Sequence, residues 1–237
     1  MRGVRFVCSL IIFFTFFSSD SLSQKLLVKK KMQPFHHYLF DSTSISFSAG
    51  LGVALIEIPG LSDYFNSRTT ISRIDEFQGM PEFFFSSEYF LSPTFGAKIE
   101  YSYMFGTFTL ANDGSLDELV ELQMPTIMIQ QLYFQQHSIL KLGAGIGFHF
   151  GSLEETTYGS TFKYHSRGIG LKGEAEANGA LSENLYAFIS ADVRVDFLST
   201  LRANNGNTLN IYSTNNIEHA SLNFFSLGLK LGVILYV

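Results

Sequence analysis

Residues 95–105 read Phe95-Gly96-Ala97-Lys98-Ile99-Glu100-Tyr101-Ser102-Tyr103-Met104-Phe105. Odd positions carry apolar or aromatic side chains, and even positions carry Gly, Lys, Glu, Ser and one Met, which is the period of two that an extended strand imposes. Both Lys98 and Glu100 fall on the same face. A strand so patterned separates an apolar surrounding from a polar one.

Seven further segments repeat the pattern. Ile45, Phe47, Ala49, Leu51, Val53 and Leu55 alternate with Ser46, Ser48, Gly50, Gly52 and Ala54, and Phe83, Phe85, Tyr89 and Leu91 oppose Phe84, Ser86, Glu88 and Phe90. Leu122, Met124, Thr126, Met128, Leu132 and Phe134 are read as an apolar face opposite Glu121, Gln123, Pro125, Ile127, Ile129 and Gln131, with Gln130 interrupting it. Leu140 to Phe150 sets Leu142, Ala144, Ile146 and Phe148 against Lys141, Gly143, Gly145, Gly147 and His149. Ile169 to Ala177 opposes Lys172, Glu174, Glu176 and Asn178, Leu185 to Phe197 opposes Ser190, Asp192, Arg194 and Asp196, and Phe225 to Val237 opposes Gly228, Lys230 and Gly232.

On this reading the charges Glu88, Lys98, Glu100, Glu121, Lys141, Lys172, Glu174, Glu176, Asp192, Arg194, Asp196 and Lys230 all avoid the apolar face. Random choice of face would sort twelve charges this way about once in 4,000 trials, the two faces of a strand being equally available. Strands in soluble sandwiches average about five or six residues, whereas these run to ten or more. A membrane barrel needs roughly 9 to 11 residues per strand, apolar side to lipid, with a lipid-facing Lys or Arg costing about 2 to 4 kcal/mol at midplane.

The gaps between segments alternate in length. Long polar stretches, Glu57 to Met80, Gly106 to Leu119, Gly151 to Gly168 and Leu198 to Ala220, follow the odd-numbered segments, and short ones at residues 92–94, 135–138 and 179–184 follow the even-numbered ones. Long loops therefore gather at one end and tight turns at the other. Tyr89, Phe95, Tyr133 and Phe134 lie toward the turns and Phe83, Tyr103, Phe105, Phe148, Phe150 and Phe197 toward the loops, which implies two aromatic girdles. The expected architecture is all-β: an eight-stranded antiparallel up-and-down transmembrane β-barrel spanning residues 42–237.

Composition agrees. The 237 residues include 25 Phe, 11 Tyr and 20 Gly, and charged residues are 16%, against about 25% in soluble domains. A formal net charge of -5 offers no basic excess for a nucleic-acid partner. Arg2 and Arg5 precede an apolar run from Phe6 to Phe17, and Ser21-Leu22-Ser23 supplies the small residues of a cleavage site, so residues 1–23 read as an export signal cut before Gln24. The run is shorter than the about 20 residues a helical anchor needs. The one cysteine, Cys8, lies within it. Residues 24–41, with Lys25 and Lys29 to Lys31, read as a basic periplasmic leader, and the adjacent His36 and His37 point apart and lack further metal ligands. No cofactor is expected.

The chain resembles the small eight-stranded outer-membrane β-barrel proteins of Gram-negative bacteria, the OmpA/OmpX-like and PorT-like groups. Residues 120–128 (VELQMPTIM), a short turn and residues 140–145 (LKLGAG) are similar to the central hairpin of the PorT-like barrels. Such barrels end on an aromatic residue, where this chain has Tyr236 followed by Val237. The resemblance implies the cell outer membrane, with its lipids and lipopolysaccharide and the barrel-assembly machinery as partners, a monomer, and an unknown surface ligand.

Eight strands enclose an interior that side chains can fill, so the inward charges read as a plug of ion pairs, with a narrow ion or proton path as the alternative. Function then falls to the loops, whose apolar residues Ile58, Leu61, Tyr64, Phe65 and Phe77, then Leu209, Ile211 and Tyr212, serve either a binding surface or a lid packed on itself. The competing reading is a lipid-modifying enzyme, acyltransferase or deacylase. For this His149 is the candidate base, with Ser152, Glu154, Glu155 and His165 further along. A third reading, by resemblance alone, is a part of an envelope secretion or motility assembly.

Overall fold

The computed structural model describes residues 45–68, 77–110, 116–134, 138–157, 159–212 and 217–237. The expected export signal, leader and His36-His37 lie outside them. Strands β1 (Ile45–Glu57), β2 (Phe77–Ser92), β3 (Phe95–Leu110), β4 (Leu116–Phe134), β5 (Ser138–Thr157), β6 (Ser160–Ala180) and β7 (Leu185–Leu198) are followed by three short pieces, β8 (Arg202–Ala203), β9 (Asn210–Tyr212) and β10 (Ile217–His219), and by β11 (Phe224–Tyr236). Among the described residues one helix, α1 (Pro59–Arg68), follows β1.

Neighbours in the chain pair antiparallel from β1 through β7, β7 pairs with β11, and β11 pairs with β1, running from Ser46 opposite Tyr236 to Glu57 opposite Phe225. Every strand of the ring of eight therefore has two partners. Closure leaves no row of unpaired amides, the condition for strands to cross lipid.

The faces are inverted relative to a soluble protein. Ile99 is 62% exposed and Leu229 55%, whereas their neighbours Lys98 and Lys230 are 2% and 1% exposed. Lipid-facing apolar side chains form the outer surface and charges the interior.

Strand β4 departs from the expected facing. Leu122, Met124, Met128 and Leu132 are buried inside the barrel, and Ile127, Ile129 and Tyr133 face outward. Of these inward residues Leu122 and Met124 meet the apolar cluster at the loop end and Met128 the glycines of β5, with Thr126 and Gln130 the polar ones at mid-strand, and the outward face carries Gln123 and Gln131, so hydrophobicity does not distinguish the two sides of this strand. Phe134 likewise packs inward against an aromatic cluster of Phe84, Tyr186, Phe188 and Tyr236 at the turn end, rather than joining a girdle. Pro125, which lacks an amide, interrupts the ladder to β5 between Gln123 and Thr126 without shifting the register.

Two of the four expected loops are largely strand. β5 and β6 remain paired up to Thr157 opposite Ser160, where Gly159 adopts a positive φ of 78° in the turn, and β3 and β4 pair up to Leu110 opposite Leu116. These extensions escaped the alternation test because beyond lipid the outer face becomes polar, as at Ser152, Glu154, Lys163 and His165.

The other two segments fold inward. Helix α1 opens on Pro59, whose missing amide is no loss at a first helical position, and buries Leu61, Tyr64 and Phe65, one turn apart on one face. They join Leu201, Leu209, Ile211, Ala220 and Leu222 from the β7–β11 connection, together with Ile56, Met80, Met104, Leu122 and Met124 from the barrel wall, in one apolar cluster at the loop end. Backbone hydrogen bonds from Leu201 to Ala220, Leu209 to Leu201 and Ala220 to Leu209 tie the connection together. Of the two expected roles, Ile58, Leu61, Tyr64, Phe65, Leu209 and Ile211 take that of a lid, while the side chains of Phe77 and Tyr212 lie outside those described.

Candidate functional site

The lumen is layered. At the turn end lies the aromatic cluster, where Tyr186 meets Tyr236 edge-on at 4.8 Å and Phe90 stacks on Tyr236 at 5.9 Å. The apolar lid lies at the loop end. Between them is a continuous set of ion pairs.

Lys141 binds Glu88 and, at 3.2 Å, Glu176, and Lys98 reaches Glu176 at 3.2 Å and Glu174 at 2.6 Å. Lys172 bridges Glu174 at 2.5 Å and Glu100 at 2.6 Å. Lys230 joins Glu100 at 2.9 Å to Glu82 at 2.8 Å, and Arg194 closes the set on Glu82 at 2.5 Å and Asp192 at 3.2 Å. All of these side chains are buried. Charges this far from water persist only when paired and hydrogen-bonded, because an isolated buried ion costs several kcal/mol.

Alternation places these residues. They stand at inward positions of β2, β3, β5, β6, β7 and β11, and glycines at facing inward positions leave them room: a β-carbon at Gly228 would sit 2.9 Å from the Asp192 carboxylate, and one at Gly52 would sit 3.0 Å from the Lys230 stem.

Of the twelve residues expected in the network, the structure brings ten together in it. Glu121 is a correction: it lies on the outer face near the rim, accepts hydrogen bonds from Tyr103 at 2.6 Å and Ser152 at 3.1 Å, and lies 3.8 Å from Lys163. The inverted facing of β4 puts it there. Asp196 is inward but apart from the network, on His149. Glu82 belongs to the network and was missed, although it shares the parity of Phe84 and Glu88. Its place at the start of the apolar alternation concealed it.

His149 is held between two strands. Its Nδ1 is hydrogen-bonded to Asp196 Oδ1, and its Nε2 lies 3.1 Å from Thr126 Oγ1. With the Nδ1 proton donated to the carboxylate, Nε2 accepts from the hydroxyl, the polarity of an acid, base and hydroxyl series. The neighbours expected from sequence are engaged elsewhere. Ser152 donates to Glu121, Glu154 lies 3.6 Å from Lys163, Glu155 accepts from Tyr64 at 2.8 Å, and His165 is exposed on the outer face. One inward step toward the mouth is Gly151, whose missing side chain is replaced by Leu222 of the lid and by Leu122 and Leu198 of the barrel wall. His149, Asp196 and Thr126 are each buried beneath that apolar layer. A hydroxyl there meets no substrate unless the lid moves.

No protein-family model and no curated protein matches the sequence. Solved structures do. Ail, the attachment invasion locus protein of Yersinia pestis, superimposes with a TM-score of 0.52 at 11% identity, covering 83% of this chain and 99% of that one. Ail in complex with the heparin analogue sucrose octasulfate gives 0.50 at 13% identity, over 83% and 99% of the two chains. Neisserial surface protein A gives 0.49 at 13%, over 82% and 99%. At these identities the likeness concerns the fold alone: this chain has the fold of the small eight-stranded outer-membrane β-barrels.

Proposed function

We propose that this chain is an outer-membrane protein that works from its external surface, as a structural or binding element, and neither conducts through its lumen nor catalyses. The observation that carries the reading is the filled interior, where among the described residues a continuous cluster of paired ions lies between an aromatic cluster at one end and an apolar cluster at the other. With the inside committed to its own cohesion and the strand exteriors to lipid, the sheet of β3 to β6 beyond the girdle is the surface available to a ligand. From Phe150 to Thr157 it projects roughly 23 Å along the strand at about 3.3 Å per residue. Export by a cleaved signal, insertion by the barrel-assembly machinery, contact with outer-membrane lipids and lipopolysaccharide, and a monomeric state complete the reading.

The single cysteine at residue 8 makes this testable. In a Cys8→Ser background, Thr161→Cys at the projecting hairpin reacts with a membrane-impermeant maleimide in intact cells, and Ser182→Cys at the opposite end reacts only after the envelope is opened. Labelling of Ser182→Cys alone in intact cells would invert the orientation. Equal protection of both until lysis of the inner membrane would remove the protein from the outer membrane.

The hydrogen-bonded series Asp196, His149 and Thr126 supports a second reading, a lipid acyltransferase or deacylase whose lid opens. A fluorophosphonate probe that labelled Thr126 in wild type and not in His149→Ala would establish it.

A further inference from the structure

The outer wall carries a groove of about 1680 Å³ where β5, β6 and β7 meet the start of the β7–β11 connection. Its composition follows from register. Phe148 lies opposite Ile169 and Ile169 opposite Phe197, which makes one outward row entirely apolar. One step toward the loop end, Phe150 lies opposite Arg167, and one step further His165 lies between Ser152 and Arg202. The connection folds back over this edge through hydrogen bonds from the Ser199 amide to the Arg167 carbonyl and from the Arg167 amide to the Ser199 hydroxyl, so the groove has an apolar floor and a cationic upper end.

The charge here is unlike that of the rest of the molecule. The chain carries a net charge of -5, yet among the described residues no acidic one lines the groove. Arg167 and Arg202 are exposed, and among the described residues neither guanidinium has an ion-pair partner. Lys163, next on the same face, is neutralised by Glu121 and Glu154, which shows how cations on this wall are treated when they serve cohesion. An aromatic row marks the depth at which acyl chains give way to headgroups, and an arginine just beyond it stands at the level of lipid phosphates, whose oxygens its planar fork matches.

We infer that this groove is a specific binding site for one phosphate-bearing lipid, its phosphate held by Arg167 and Arg202 and its acyl chain laid across Phe148, Ile169 and Phe197. His165 and Ser199 add hydrogen-bond donors at the headgroup. The inference rests on the bilayer placement above but not on which membrane holds the barrel, so it stands or falls separately from surface display.

The test is native mass spectrometry of the full-length barrel in detergent, titrated with phosphatidic acid, with diacylglycerol of the same chains, and with inorganic phosphate as competitor. Wild type retains one phosphatidic acid, diacylglycerol is not retained, and millimolar phosphate fails to displace the lipid. Each of Arg167→Gln and Arg202→Gln weakens retention about tenfold, as expected for loss of one hydrogen-bonded charge contact, while both variants keep the mobility of a folded barrel on unheated gels. Equal retention of diacylglycerol, or unchanged retention in the double variant, would overturn the phosphate site. Displacement by phosphate alone would overturn the lipid as its occupant.

Discussion

Glu100 is the residue on which the interior turns. Lys98, Lys172, Lys230 and Arg194 all lie within ion-pair distance of its carboxylate. Removing one partner from a buried ionic cluster strands the others, which costs about 3 to 5 kcal/mol, so Glu100→Leu is expected to lose that much stability in urea unfolding from lipid vesicles. Leu229→Arg attacks from outside and is expected to cost about 2 to 4 kcal/mol by placing a cation in lipid. Glu121→Gln is expected to cost under about 1 kcal/mol, because that carboxylate makes a partly exposed rim pair. A loss for Glu121→Gln as large as that for Glu100→Leu would return Glu121 to the lumen and contradict the observed facing of β4. At this scale sequence parity located most of the network, since a side chain's face follows from its position alone once a strand is in register. It could not join His149 to Asp196 and Thr126, which stand on β7 and β4 and reach it only through the registers of β4, β5, β6 and β7, which parity alone does not give.

Among the elements, the strands were legible where lipid lies on one side and ions on the other, as in β3, β7 and β11. Legibility failed where that contrast fails: in β4, where apolar and polar side chains fall on both faces, and in the β5–β6 hairpin beyond Phe150, polar outside and partly apolar inside. The lid was half legible. Its apolar residues stood out as more than chain reversal needs, but their mutual packing depends on α1 and the β7–β11 connection meeting across the mouth. Leu209 is 4% exposed in that cluster, so Leu209→Asp buries an unpaired carboxylate and is expected to undock the connection. Limited proteolysis should then cut within residues 198–223 while the ring still resists. Wild-type resistance of that segment in the variant would mean that the lid is not held by its apolar core.

For the whole molecule, closure and filling have separate signatures. A ring without free edges has no place from which to unzip, so unheated protein should migrate differently from boiled protein on SDS gels, and identical mobility would deny closure. Filling matters most, since the proposed binding or structural role outside the barrel rests on an interior packed with paired ions. It is tested most directly by planar-bilayer recording of the purified, folded protein at about 0.1 M salt, where screening of exposed charges is moderate and buried pairs are little affected. A filled barrel gives a trace indistinguishable from bare lipid at all applied voltages. Reproducible ohmic steps that vanish when the protein is boiled before addition would contradict it.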